Sequence, residues 1–144
     1  SRYYLDGTAL ITKLPLIADV SDLGSPVLGS QHVGVLNHSS TIDIVRSRLP
    51  GVQLVGVNSY QDALEQLEAG TIAAFAADVS ILSGWEQEYP QYRNLPTLLS
   101  AEALAIALPR GLQYQDLREN VNNIVEGWAE NGWLQERMEY WGLP

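Results

Sequence analysis

The sequence predicts an α/β protein built on a parallel or mixed sheet flanked by helices. Three observations carry this. The short apolar runs Val33–Leu36, Val52–Val57 and Ile72–Ala77 are each followed by apolar residues at helical spacing. Strand and helix alternating in this way are the signature of βαβ units. Breakers stand where the helices should stop, at Pro50-Gly51, Gly70 and Pro90.

The elements follow in order. Thr8-Ala9-Leu10-Ile11-Thr12 is an extended run ending before Pro15, and Asp19 to Pro26 reads as a linker with one short turn. After the strand at Val33–Leu36, Ser40-Thr41-Ile42-Asp43 has the form of a capping box, an acidic residue three positions after a hydroxyl. The helix it opens carries Ile42, Val45 and Leu49 on one face. Ser59 with Asp62 is a second N-cap pattern, and Tyr60, Ala63, Leu64 and Leu67 recur at i, i+3, i+4 and i+7. Ile72–Ala77 is a buried strand closed by Asp78, and Ile81, Leu82 and Trp85 face inward from the next helix. Leu104–Leu108 is strand-like, Leu117 to Trp128 is a long amphipathic helix, and Gly132 separates it from a last short helix over 133–141. The Thr8–Thr12 run and the last two helices are expected outside the βαβ block, in need of a separate packing surface.

Composition narrows the function. A length of 144 residues with 46% hydrophobic content supports one full domain core, and no run approaches a membrane span. With no cysteine, disulfides, thiolate catalysis and cysteine metal sites are excluded. A net charge of −9, with eight scattered Lys and Arg, argues against nucleic-acid binding. The opening residues lack the basic start and apolar stretch of a signal peptide, so the sequence is expected to be cytoplasmic, already processed, or part of something longer.

The chemistry concentrates at two strand ends. In open parallel sheets, ligands bind beyond the carboxyl ends of the strands. His38, Ser39, Ser40 and Thr41 follow one strand and Asp78 closes another. A helix N-terminus leaves N–H groups without partners and suits an anion, while a carboxylate suits an ammonium. Ser40 and Asp78 are also ordinary helix caps, and each taken singly is explained that way. Nucleophilic catalysis is not expected, since no Gly-x-Ser-x-Gly elbow surrounds His38-Ser39-Ser40. His32 and His38 lack zinc-ligand spacing and a third ligand. Trp128, Trp133 and Trp141 are read as packing residues rather than a sugar platform.

In motif order and spacing the chain resembles the family 3 extracellular solute-binding proteins, the type 2 periplasmic receptors that feed amino acids to ABC importers. The resemblance spans nearly the whole chain. Ser1-Arg2-Tyr3-Tyr4-Leu5-Asp6-Gly7 is similar to the approach to the first hinge, and Asp22-Leu23-Gly24 with His32-Val33-Gly34-Val35 to the start of lobe 2. Ser39-Ser40-Thr41 stands where the family has Gly-Ser-Thr, and Ala74-Phe75-Ala76-Ala77-Asp78 where it has its ligand-binding aspartate. Asn58 to Gly70 is similar to the helix that follows the second strand, and Ala105 to Gly111 to the returning hinge. Three departures stand out: Ser39 replaces the family glycine, Ala73 an aspartate, and Leu104 an aromatic residue.

The resemblance implies lobe 2 of a two-lobe periplasmic-binding fold plus C-terminal helices of lobe 1. It divides the chain into residues 1–15 (end of lobe 1 and first hinge strand), 16–104 (lobe 2) and 105–144 (second hinge strand and returning helices). The sequence starts just past the family's carboxylate-clamping arginine, so a fragment is expected. By position, Ser39, Ser40 and Thr41 would hold an α-carboxylate and Asp78 an α-ammonium, with no catalytic residue, metal or cofactor. The implied partners are a polar amino acid or similar zwitterion, an ABC permease and, for the isolated piece, a second copy of itself. The implied location is the periplasm. Two other readings stay open: a ligand-sensing domain of a histidine kinase, channel or transcriptional regulator, and a dehydratase-like enzyme on the same fold.

Overall fold

The computed structural model describes residues 2–144; Ser1, the first residue of the hinge-approach pattern, lies outside them. The chain forms two compact units. One is Gly7–Ala101, and the other joins the N-terminal strand to Glu102–Pro144.

Gly7–Ala101 is organised by a five-stranded sheet. Its strands are β2 (Thr8–Thr12), β3 (His32–Leu36), β4 (Gln53–Val57), β5 (Ala74–Asp78) and β6 (Arg93–Asn94), after an N-terminal β1 (Arg2–Asp6) that belongs to the other unit. The spatial order is β4-β3-β5-β2-β6. β3 pairs in parallel with both β4 and β5, whereas β2 runs antiparallel to β5 and β6. The sheet is therefore mixed.

Thr8–Thr12 does not stand outside the βαβ block, as its sequence position suggested. It lies inside the sheet with all five residues buried. The physical reason is the open edge of β5: Leu10 pairs with Ala76 and Ile11 with Phe75, which gives that edge a ladder partner.

Alternation along the strands sorts the core into two faces. Leu10, Val33, Val35, Ala74 and Ala76 meet Ile17 of α1 (Pro15–Ala18) and Val45 of α2 (Thr41–Arg48) on one side. Ala9, Ile11, Phe75 and Ala77 meet Ala63 and Leu67 of α3 (Tyr60–Ala69) and Leu82 of α4 (Val79–Glu88) on the other. The helix boundaries have local causes. Ser59 Oγ accepts the Asp62 N–H at 3.0 Å, and Asp62 Oδ2 accepts the Asn58 N–H at 2.9 Å. Gly70 ends α3 in the left-handed region at φ 74°.

In the second unit β1 pairs antiparallel with β7 (Glu102–Ala105), from Asp6↔Glu102 to Arg2↔Ala105. The strand expected over 104–108 thus lies earlier, because its ladder with β1 ends at Ala105. A 3-10 turn, Leu112–Tyr114, leads into α5 (Gln115–Glu130), and Gly132 at φ 81° turns the chain into α6 (Trp133–Tyr140). Val125 is buried, while Leu117, Ile124, Trp128, Trp133 and Trp141 are exposed. Trp128 and Trp133 pack on each other across the turn at 4.9 Å between ring centroids, so the tryptophans pack locally rather than in a deep core. No helix among the described residues is long and apolar enough to cross a membrane.

A polar cluster fastens the far end of α3. The buried Tyr92 hydroxyl donates to Glu68 Oε1, and Lys13 Nζ stands 3.2 Å from Glu68 Oε2. The Tyr92 hydroxyl first and Lys13 second hold the Glu68 carboxyl below its ordinary range. Gln66 first and the Asn58 N–H second do the same for Asp62. Both groups are therefore more acidic folded than unfolded. Their contribution is present above the unfolded carboxylate range and is lost as pH falls through the folded values. Acid unfolding followed by circular dichroism should show stability declining below about pH 4.5, with a shallower slope in Glu68→Gln and Asp62→Asn. Gly7 gives a second expectation. A Cβ there would fall on the Ser100 carbonyl oxygen, a backbone atom that cannot step aside. Gly7→Ala should cost about 1–3 kcal/mol in thermal or urea unfolding.

Candidate functional site

The parallel pairing of β3 with β5 builds the site. Val33, Gly34 and Val35 stand opposite Ala74, Phe75 and Ala76, so both strands end at the same edge of the sheet. The helices that follow leave on opposite faces, α2 packing with Val33 and Val35, α4 with Phe75 and Ala77. Two adjacent parallel strands whose connections part in this way leave a crevice beyond their carboxyl ends, the usual ligand position in open α/β sheets. Ser39, Ser40 and Thr41 lie beyond the end of β3 and Asp78 is the last residue of β5. All four sequence-predicted residues therefore share one sheet edge on neighbouring strands.

Their local states differ. Ser39 donates its hydroxyl to the Leu36 carbonyl at 2.7 Å, which closes the turn after β3. Ser40 occupies the N-cap position of α2, but its backbone is already helical at φ −64°, ψ −20°, and its side chain makes no capping bond. The capping box expected over Ser40–Asp43 does not form, because a hydroxyl cap needs an extended backbone to turn its oxygen onto the first amides. Asp43 is exposed and stands 3.9 Å from Arg46 instead. Thr41 begins the helix and is buried. The first turn is held only loosely, with Ile42 N and Ile44 N at 3.4 Å from the Ser39 and Ser40 carbonyls.

Asp78 is the N-cap residue of α4, half-buried, and it too makes no side-chain capping bond. The first amide of α4, Val79 N–H, donates to the Gly7 carbonyl at 2.8 Å. Capping thus explains neither Ser40 nor Asp78, although it fully explains Ser59. Among the described residues, no group of three or more His, Asp and Glu is placed to hold a metal. A cavity of about 180 Å³ lined by Leu23, Leu28, Leu49 and Val52 lies at the opposite edge, where β3 and β4 begin.

The bond made by Asn37 and the backbone state of His38 were not evident from sequence. Asn37 donates from Nδ2 to Asn58 Oδ1 at 3.0 Å, joining the turns after β3 and β4. His38 adopts φ 63°, the only positive φ of a non-glycine residue among those described. The resemblance put the family glycine at Ser39, but the left-handed position that favours glycine is His38. Ser39 therefore carries no backbone strain. Thermal unfolding should show His38→Gly stabilised by about 1 kcal/mol and His38→Val destabilised, since a β-branched residue tolerates this region poorly.

No family model matches the sequence, and no curated protein matches it. Solved structures do. The chain is similar to the GluR0 ligand-binding core in complex with L-glutamate, with 16% identity and a TM-score of 0.79 over 99% of this chain and 62% of that one. It is similar to the amino acid ABC transporter substrate-binding protein AbpA from Streptococcus pneumoniae bound to L-arginine, with 19% identity and a TM-score of 0.75 over 98% and 59%. It is also similar to an ancestral cationic amino acid solute-binding protein, with 16% identity and a TM-score of 0.78 over 98% and 60%. The chain spans about 60% of the length of these structures. The likeness at such low identity is one of architecture, and the architecture is the α/β fold of the type 2 periplasmic-binding proteins.

Proposed function

We propose that the chain is the ligand-binding part of a receptor for a polar amino acid or a similar small zwitterion. The observation that carries this is the meeting, at one sheet edge, of a hydroxyl-lined helix start and an aspartate, neither Ser40 nor Asp78 being engaged as a cap. Ser40, Thr41 and the first amides of α2 take the carboxylate, with Ser39 shaping the turn beneath it. Asp78 takes the ammonium as a charge-assisted hydrogen bond. The L-glutamate and L-arginine bound in the similar structures are ligands of that kind.

The reading extends to delivery. The chain passes between its compact units twice, at Asp6–Gly7 and Ala101–Glu102, which is the connectivity of a two-strand hinge. Hinge closure around the ligand, docking of the closed form on an ABC permease, and a periplasmic setting follow from this reading, as does the division into hinge, lobe 2 and returning segments. The exposed apolar side of α5 and α6 suits pairing with a second copy when no other lobe covers it. No bond chemistry is assigned in this reading. The likeness to the GluR0 ligand-binding core favours a second use of the same site, as the sensing domain of a signalling protein.

A thermal-shift panel of L-glutamate, L-arginine, L-glutamine and their des-amino counterparts tests the proposal. One amino acid should raise Tm in a concentration-dependent way. Asp78→Ala should weaken that ligand by about 10- to 100-fold, the worth of a hydrogen bond to a charged group, and Ser40→Ala should weaken it less. A flat response to the whole panel overturns the reading.

A further inference from the structure

Strand β2 carries two buried threonines on the same face, and the fold treats them differently. Thr8 and Thr12 are both 0% exposed. Thr12 donates its hydroxyl to the Ala73 carbonyl at 2.7 Å and accepts the Leu14 N–H at 3.1 Å. The Thr8 hydroxyl has no hydrogen-bond partner. Buried hydroxyls are almost always partnered, so one that is not calls for a reason.

The position of Thr8 supplies one. In the β2–β5 ladder Thr8 stands directly opposite Asp78. Its own N–H donates to Ser100 Oγ at 2.9 Å and its carbonyl accepts the Leu99 N–H at 2.8 Å, both turned away from β5. The neighbouring Gly7 carbonyl accepts the Val79 N–H across the ladder. Thr8 and Asp78 are therefore a non-hydrogen-bonded pair, the kind in which opposing side chains come closest, with Cβ atoms about 4.5–5.5 Å apart. Thr12 sits at the other end of the same strand, away from the site edge.

We propose that Thr8 is a positioning residue for Asp78: a rotation about χ1, with no backbone change, turns its hydroxyl onto the ionised carboxylate beside it. The bond holds one carboxylate oxygen and aims the other at the ligand ammonium. The Thr8 N–H and carbonyl are both hydrogen-bonded, so the hydroxyl pivots from a fixed Cα. This rests on the amino-acid reading for its consequence, but the proposed bond needs no ligand and is tested in the chain by itself.

The test is a carboxyl-carbon NMR titration of the 144-residue chain. A donor to the ionised form lowers the midpoint of a carboxyl group. Thr8→Val, which keeps the shape and removes the hydroxyl, should raise the Asp78 midpoint by about one unit, a tenfold change in protonation equilibrium. Thr8→Ser should restore it. An unmoved midpoint in a folded Thr8→Val chain overturns the proposal. A second measurement needs no substitution: the Thr8 hydroxyl proton should exchange slowly with water while Asp78 is ionised and quickly once it is protonated. An exchange rate indifferent to Asp78 also overturns it. Calorimetry with L-glutamate, L-arginine and L-glutamine, each against its des-amino counterpart, separates the two claims. Thr8→Val should weaken an amino acid about tenfold and leave its counterpart unchanged. Equal weakening of both overturns the positioning role. Binding of neither overturns the amino-acid reading, and the NMR result then decides Thr8 by itself.

Discussion

The antiparallel ladder between β2 and β5 is the constraint on which the rest of the Gly7–Ala101 unit depends. Without it, β5 would present an open edge and the parallel set β4-β3-β5 would be half-covered. With it, five consecutive residues of β2 are buried and divide between the two core faces. The other edge of β2 then receives the returning chain, the Leu95 and Leu99 N–H groups donating to the Leu10 and Thr8 carbonyls. The ladder also satisfies the first amide of α4 through Gly7. One pairing thus closes the sheet, receives the returning chain and places Asp78 at the carboxyl end of β5 opposite Thr8.

The three helix starts at this edge show how an apparently generic residue type acquires a role. Ser59 is extended, and its hydroxyl and Asp62 satisfy two orphan donors in the ordinary way. Ser40 reaches the same position after a left-handed His38 and is already helical, so its hydroxyl misses the amides it would otherwise cap. Asp78 is extended like Ser59, yet its side chain makes no capping bond. Between Ser59 and Ser40 the difference lies in backbone conformation. A serine or aspartate before a helix is ambiguous until its backbone and side-chain bonds are known.

Local order was legible because local patterns cause it. The apolar runs, the 3.6-residue spacing of Tyr60, Ala63, Leu64 and Leu67, the Ser59–Asp62 cap and the Gly70 and Gly132 stops act over a few residues, and each is where the sequence places it. The parallel core of βαβ units follows from strand–helix alternation. The insertion of Thr8–Thr12 was not legible, because its partner is more than sixty residues away and a short buried strand does not announce its neighbours. The early end of β7 was hidden for the same reason, since strand length depends on where the paired strand runs out.

At the site, sequence alone singled out the candidate residues: a hydroxyl cluster at Ser39, Ser40 and Thr41 and a carboxylate at Asp78, each following a strand. It left open whether they cap helices or meet a ligand, because both uses demand the same residue types at the same local positions. Only the tertiary structure decided that β3 and β5 are parallel neighbours, that α2 and α4 leave on opposite faces, and that Thr8 lies across from Asp78. Those relations come from strand pairing between distant segments, where register and burial are properties of the assembled sheet rather than of any stretch of chain.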